Sequence, residues 1–133
     1  MAQGHKNIKA DHPSTLMITK EKHLTETGDC IIALAADKAP ADLSPEFNQK
    51  LRQRNTKLVI VLEADGAKET INASGSPKLA LTNQRDMVIR KSDYISDRTL
   101  AIFADKSSKD LSREFVERLK NPKTQIKITL IVN

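Results

Sequence analysis

Half of this chain is written twice. With a shift of 68, residues 30–64 meet residues 98–132 with 13 identities in 35 positions, where ordinary usage gives about two. Asp37-Lys38 falls on Asp105-Lys106, Asp42-Leu43-Ser44 on Asp110-Leu111-Ser112, and Glu46-Phe47 on Glu114-Phe115. Leu51, Thr56, Ile60 and Leu62 fall on Leu119, Thr124, Ile128 and Leu130. Upstream the register moves to 71, because the second copy lacks three residues near Glu26-Thr27-Gly28. There Gly4 meets Gly75, Ile8 meets Leu79, Ile18 meets Ile89 and Lys20 meets Lys91. The unit must therefore be one that packs against a copy of itself.

Each copy reads as strand, strand, helix, strand. Leu16-Met17-Ile18-Thr19 is a short strand, and residues 25–29 are a turn in which Gly28 can take positive φ. Residues 30–36 are a nearly continuous apolar run, the pattern of a buried strand. Ser44 is placed to cap a helix, Pro45 suits its first position, and Phe47 and Leu51 share a face at i, i+4. Residues 58–62, Leu-Val-Ile-Val-Leu, are short and β-branched, so they read as strand. The second copy repeats this with strands at 87–89, 99–103 and 126–130 and a helix capped by Ser112. Residues 68–73 offer a further strand, and 74–77 a turn.

A half of about 60 residues is marginal alone, and aromatic rings are few: Phe47 in the first, and Tyr94, Phe103 and Phe115 in the second, are the full set. One domain over 1–133 is expected, made of repeats at about 4–66 and 75–133 joined by a short connector. The fold class is α+β: duplicated strand-strand-helix-strand units about a pseudo-twofold axis, sharing one β-barrel-like core. In element order this resembles the cradle-loop and double-psi barrels, a likeness that carries no activity. With 38% hydrophobic residues the chain has material for a globular core. No apolar run approaches the roughly 20 residues needed to span a bilayer, and the opening residues hold no apolar signal segment. The single Cys30 excludes an internal disulfide and suits a reducing cytosol. A cytoplasmic protein without membrane contact is expected.

Several stretches are distinctive: Gly4-His5, the run 24–32 through Gly28-Asp29-Cys30, Ala36-Asp37-Lys38, the run 89–100 through Tyr94-Ile95-Ser96-Asp97-Arg98, and Ala104-Asp105-Lys106. Together they resemble an archaeal family known as domain of unknown function 371. The resemblance covers nearly the whole chain and implies an archaeal cytoplasmic protein. It brings no catalytic residues. The family pattern opens its second half with Gly-His, where this chain has Gly75-Ser76.

Residues kept in both copies serve the repeated fold most simply; those in one copy are candidates for specific work. Asp37-Lys38 and Asp105-Lys106 are shared, and they are either strand-ending turns or a symmetric polar pocket at the axis. The first copy alone carries His5, His12, His23 and Cys30, opposite Ser76, Asn83, Tyr94 and Arg98. Imidazole and thiolate are zinc ligands, and a His beside a Cys is a nucleophilic pair. Neither C-x-x-C nor H-x-x-x-H occurs, and Cys30 opens an apolar run where a buried structural thiol is the ordinary case. No phosphate loop, dinucleotide fingerprint or triad signature is present, so no cofactor is expected.

Charge is the second asymmetry. Residues 1–66 hold nine basic and nine acidic side chains, and residues 67–133 hold thirteen and eight, so all of the net +5 lies in the second copy. Arg90, Lys91, Arg98, Arg113, Arg118, Lys120 and Lys123 are the candidates for contacting phosphates. Such a face would be salt-sensitive. Glu114 and Glu117 interrupt it, and without Trp there is little to stack bases on. The leading reading is a non-enzymatic module contacting RNA or a ribonucleoprotein through this face. The alternatives are a small enzyme or metal protein using the first-half His/Cys group, and a homodimeric assembly protein with exposed strand edges.

Overall fold

Ser44 and Ser112 each accept a hydrogen bond from the backbone N–H three residues on, Phe47 and Phe115, at 3.1 Å. These caps start helices α1 (Pro45–Leu51) and α2 (Arg113–Leu119). In this computed structural model, which describes residues 1–25 and 28–133, eight strands surround them. They are β1 (Ala2–Gln3), β2 (Thr15–Thr19), β3 (Ile31–Ala33), β4 (Lys57–Ala64), β5 (Ala67–Ser74), β6 (Asp86–Arg90), β7 (Thr99–Ala101) and β8 (Gln125–Val132). A 3-10 turn precedes each helix, at Pro40–Asp42 and Ser108–Asp110. Moving the bounds of β2 by 71, and those of β3, the first 3-10 turn, α1 and β4 by 68, reproduces the bounds of β6, β7, the second turn, α2 and β8.

The strands form two four-stranded sheets, ordered β1-β8-β4-β5 and β3-β2-β6-β7. In the second, β2 and β6 pair antiparallel at the centre, each flanked by a parallel partner from its own half, β3 and β7. In the first, β4 and β8 pair antiparallel from Leu58–Val132 to Glu63–Lys127. One cluster of buried side chains draws on both halves, from Leu16, Ile18 and Leu51 to Ile89, Phe115 and Leu119. Among the described residues no helix is long and apolar enough to cross a membrane.

Two expectations need correction. The strands do not close into a barrel: among the described residues no ladder joins the two sheets, which are linked by the isolated bridges Gln3–Leu34 and Ser74–Ile102, because β1, β3 and β7 are too short to carry ladders between them. The apolar runs 30–36 and 99–103 give only three-residue strands. Ala35 (φ 51°) and Phe103 (φ 53°) adopt left-handed backbone and break the extension. The turn at 25–29 includes residues 26 and 27, which lie outside the described residues. A Cβ on Gly28 would crowd the Leu24 side chain. Gly66 (φ 77°) does take positive φ, and with Asp65 (φ 48°) it makes the two-residue turn joining β4 to β5.

Candidate functional site

The two helices bury unequal faces. α2 buries Phe115, Val116 and Leu119, whereas α1 buries Leu51 alone. Phe47 and Leu43 are half-buried, as are Ile128 and Leu130 on β8 beside them. Between α1 and β8 lies a groove of about 360 Å³, floored by these four and Met87, with Met1, Asp37 and Lys38 among the residues that complete its lining. The positions 68 residues away are closed: Phe115 and Leu111 are buried, and Ile60 and Leu62 are wholly so. What fills that space is β5, whose Ile71 pairs with Ile60 and is itself wholly buried.

The edge of β8 explains the difference. Ala2 and Gln3 pair with Ile126 and Gln125 just as Ala73 and Ser74 pair with Leu58 and Lys57. β5 continues along β4 as far as Ala64, opposite Ala67. Beyond Ile126 no strand among the described residues lies on the outer side of β8. The Asn133 N–H donates to Lys57 O at 3.0 Å, so by antiparallel alternation Ile131, Thr129 and Lys127 turn their backbone groups toward β4. Ile128, Leu130 and Val132 turn theirs outward. The groove is therefore an open strand edge beside an apolar cavity.

Most of the predicted basic face is engaged inside the protein. Arg113 is a structural clamp, its Nη2 set 2.9–3.1 Å from the carbonyl oxygens of Ala10, Ser108, Lys109 and Leu111, which share its two N–H donors. Arg118 donates to Asp65 O (2.9 Å) and pairs with Glu114 (3.1 Å), and Lys120 pairs with Glu117 (3.1 Å). Lys91 pairs with Asp110 (2.6 Å), and Arg98 lies 3.4 Å from the buried Asp86 carboxylate. Lys123 makes no ion pair among the described residues. Arg90 donates to Thr99 Oγ1 and Ser96 Oγ and lies 4.9 Å over the exposed Tyr94 ring. Burial, and after it the Arg98 charge, holds the Arg90 guanidinium below its ordinary pKa.

The histidines have local work. His5 Nδ1 accepts from Asn7 N (3.0 Å), and His12 Nδ1 accepts from Ser14 N (3.2 Å) and Thr15 N (3.1 Å). Their counterparts do the same: Ser76 Oγ accepts from Lys78 N, and Asn83 Oδ1 from Arg85 N and Asp86 N. His23 is exposed near Glu21 and Arg85. Burial pushes the half-buried Cys30 thiol above its ordinary pKa, outweighing its contact with the Thr15 hydroxyl. A reactive thiolate is normally favoured by the opposite setting. No group of three or more His, Cys, Asp or Glu among the described residues is disposed to hold a metal ion.

The Asp-Lys pairs each serve the strand beside them. Asp37 accepts from the Met1 ammonium (3.0 Å), which holds its carboxyl below the ordinary range. Asp105 accepts from Asn72 N (2.9 Å) and Nδ2 (3.0 Å). Lys106 reaches Glu69 on β5 at 3.7 Å. Lys38 is exposed and makes no direct ion pair among the described residues.

Over its whole length, residues 1–133, the sequence matches the family model described as domain of unknown function 371. The chain belongs to this family. An uncharacterized protein of the archaeon Methanocaldococcus jannaschii is similar to this family member, with 51% identity over 125 residues, covering 94% of this chain and 92% of the relative.

Sequence reasoning did not single out Leu43, Phe47, Met87, Ile128 or Leu130, all of which read as core. Nothing in their chemistry distinguishes them from core residues.

Proposed function

We propose that this family member is a non-catalytic binding module whose groove between α1 and β8 receives an extended segment of a partner protein carrying an aliphatic side chain. The reading treats the chain as two copies of one unit about a pseudo-twofold axis. In its support, left-handed backbone recurs at Ala10 and Leu81 and at Ala35 and Phe103, pairs separated by 71 and 68. The carrying observation is the contrast between Ile71, buried against Ile60, and the open position opposite Ile128. Strand addition uses such an edge: main-chain hydrogen bonds hold the guest and a pocket selects alternate side chains.

The test is titration of the peptide acetyl-Thr-Ile-Thr-Ile-Thr-amide into isotope-labelled protein. Shifts at Phe47, Ile128 and Leu130, with slowed exchange of the Ile128 and Leu130 amides, support the reading. Unmoved resonances at saturating peptide overturn it.

A second reading, contact with the phosphate backbone of RNA or a ribonucleoprotein, draws on the Arg90 guanidinium stacked over exposed Tyr94. Lys123, without an ion pair among the described residues, adds to it. Retention on a polyanion column that falls steeply with salt and is lost in Arg90→Gln supports this reading. Indifference to both removes it.

A further inference from the structure

The half that is already filled describes the guest more closely than an aliphatic side chain alone. β5 runs antiparallel to β4 with Ile71 opposite Ile60 and Glu69 opposite Leu62. Glu69 and Ile71 lie two apart and so share a face of the strand. The Glu69 side chain is only 14% exposed, its buried Oε2 has no hydrogen-bond partner among the described residues, and Lys106 Nζ stands 3.7 Å from it. Lys106 thus neutralises an acid placed two residues before the buried aliphatic one. At the position of Lys106 in the other half stands Lys38, exposed and without a direct ion pair among the described residues.

We infer that Lys38 makes the groove selective for strands of the form acid-x-aliphatic, the aliphatic residue opposite Ile128 and the acid opposite Leu130. This rests on the reading of the groove as a strand-addition site. The direction follows from β5: the guest lies antiparallel to β8, in line with β1, its aliphatic residue adjoining Met1, whose ammonium is held by Asp37. A carboxylate buried without Lys38 would lose its compensating charge, whereas a lysine there would face a like charge.

The probe is acetyl-Ala-Lys-Glu-Thr-Ile-amide, the sequence of residues 67–71, titrated into the full chain against the same peptide with Glu replaced by Lys. The acidic peptide should bind about fivefold more tightly at low salt, the preference fading as salt screens the pair. In Lys38→Glu the preference should invert, a readout that loss of folding cannot mimic. Equal binding of both peptides, with Ile128 and Leu130 still perturbed, overturns the role of Lys38 and leaves the groove reading standing. Binding of neither peptide, with those resonances unmoved, overturns both. If light scattering shows the groove already closed by a second copy of the chain, the inference also falls.

Discussion

Ile60 and Ile71 face each other across β4 and β5, and neither is exposed to solvent. Ile128 holds the place of Ile60 on β8 and is only half-buried. The same substitution should therefore have unequal cost. Ile60→Ala removes a buried side chain from a closed cavity and should destabilise by about 3 kcal/mol. Ile128→Ala takes atoms from a groove wall already in contact with water and should lose about 1 kcal/mol. Chemical denaturation of the two variants checks this; equal losses would mean the groove is closed in solution.

Gly4 and Gly75 are fixed by close approach. A Cβ on Gly4 would collide with the Leu119 carbonyl oxygen, and one on Gly75 with that of Leu51. His5 N and Ser76 N donate to those same carbonyls at 2.9 and 3.0 Å, at the ends of α2 and α1. Gly4→Ala and Gly75→Ala should each destabilise by roughly 2–3 kcal/mol, since the obstructing atoms are backbone. At Gly66 a Cβ meets nothing, and only its left-handed φ of 77° resists substitution. Gly66→Ala should cost about 1 kcal/mol. Thermal unfolding separates the two classes.

The repeated order of elements was legible because the matching residues are the ones that build them: Ser44 and Ser112 as caps, Phe47 and Phe115 on the helices, Ile60 and Ile128 on the strands. The strand over 68–73 was only suggested, though Asp65-Gly66 between two β-prone runs is a strong hairpin signal. That hairpin lets β5 cover β4 and so makes the halves unequal. The absence of barrel closure was not legible, since it depends on Ala35 and Phe103 adopting backbone that neither side chain advertises. The site was hidden for a related reason. Phe47 and Leu130 have core-like chemistry, and their exposure follows from what is missing beside them.

His12 differs from its counterpart Asn83 in type and not in use, since both accept from the N–H groups two and three residues on. His12→Asn should hold stability within about 0.5 kcal/mol, and His12→Ala should lose about 1 kcal/mol by leaving those donors without their acceptor. If His12 had a chemical role that Asn cannot supply, His12→Asn would lose binding of the strand peptide or of RNA while keeping its stability. Retained stability and retained binding together are the expected result.

Asp110 gives the fold its clearest pH dependence. Its carboxylate accepts from Lys91 Nζ, from Ser107 N and from Ser107 Oγ, and Lys91 above all lowers its pKa from 3.8 to about 2. The folded state thus binds this proton less readily than the unfolded chain does. The resulting stability is present in full above about pH 4 and is lost as pH falls toward 2. Because both partners are more than a third exposed, solvent screening limits the contribution to about 0.5–1 kcal/mol. Unfolding free energies measured from pH 5 to pH 2 should fall less steeply in Asp110→Asn than in the parent. Asp37, held low by the Met1 ammonium, and Asp42, held low by Lys20 at 2.5 Å, should preserve part of the slope. Added salt should shrink the difference between parent and Asp110→Asn, because the Lys91 contribution is screened while the two bonds from Ser107 are not. An unchanged slope in Asp110→Asn would show that Lys91 and Asp110 do not hold this pair in solution.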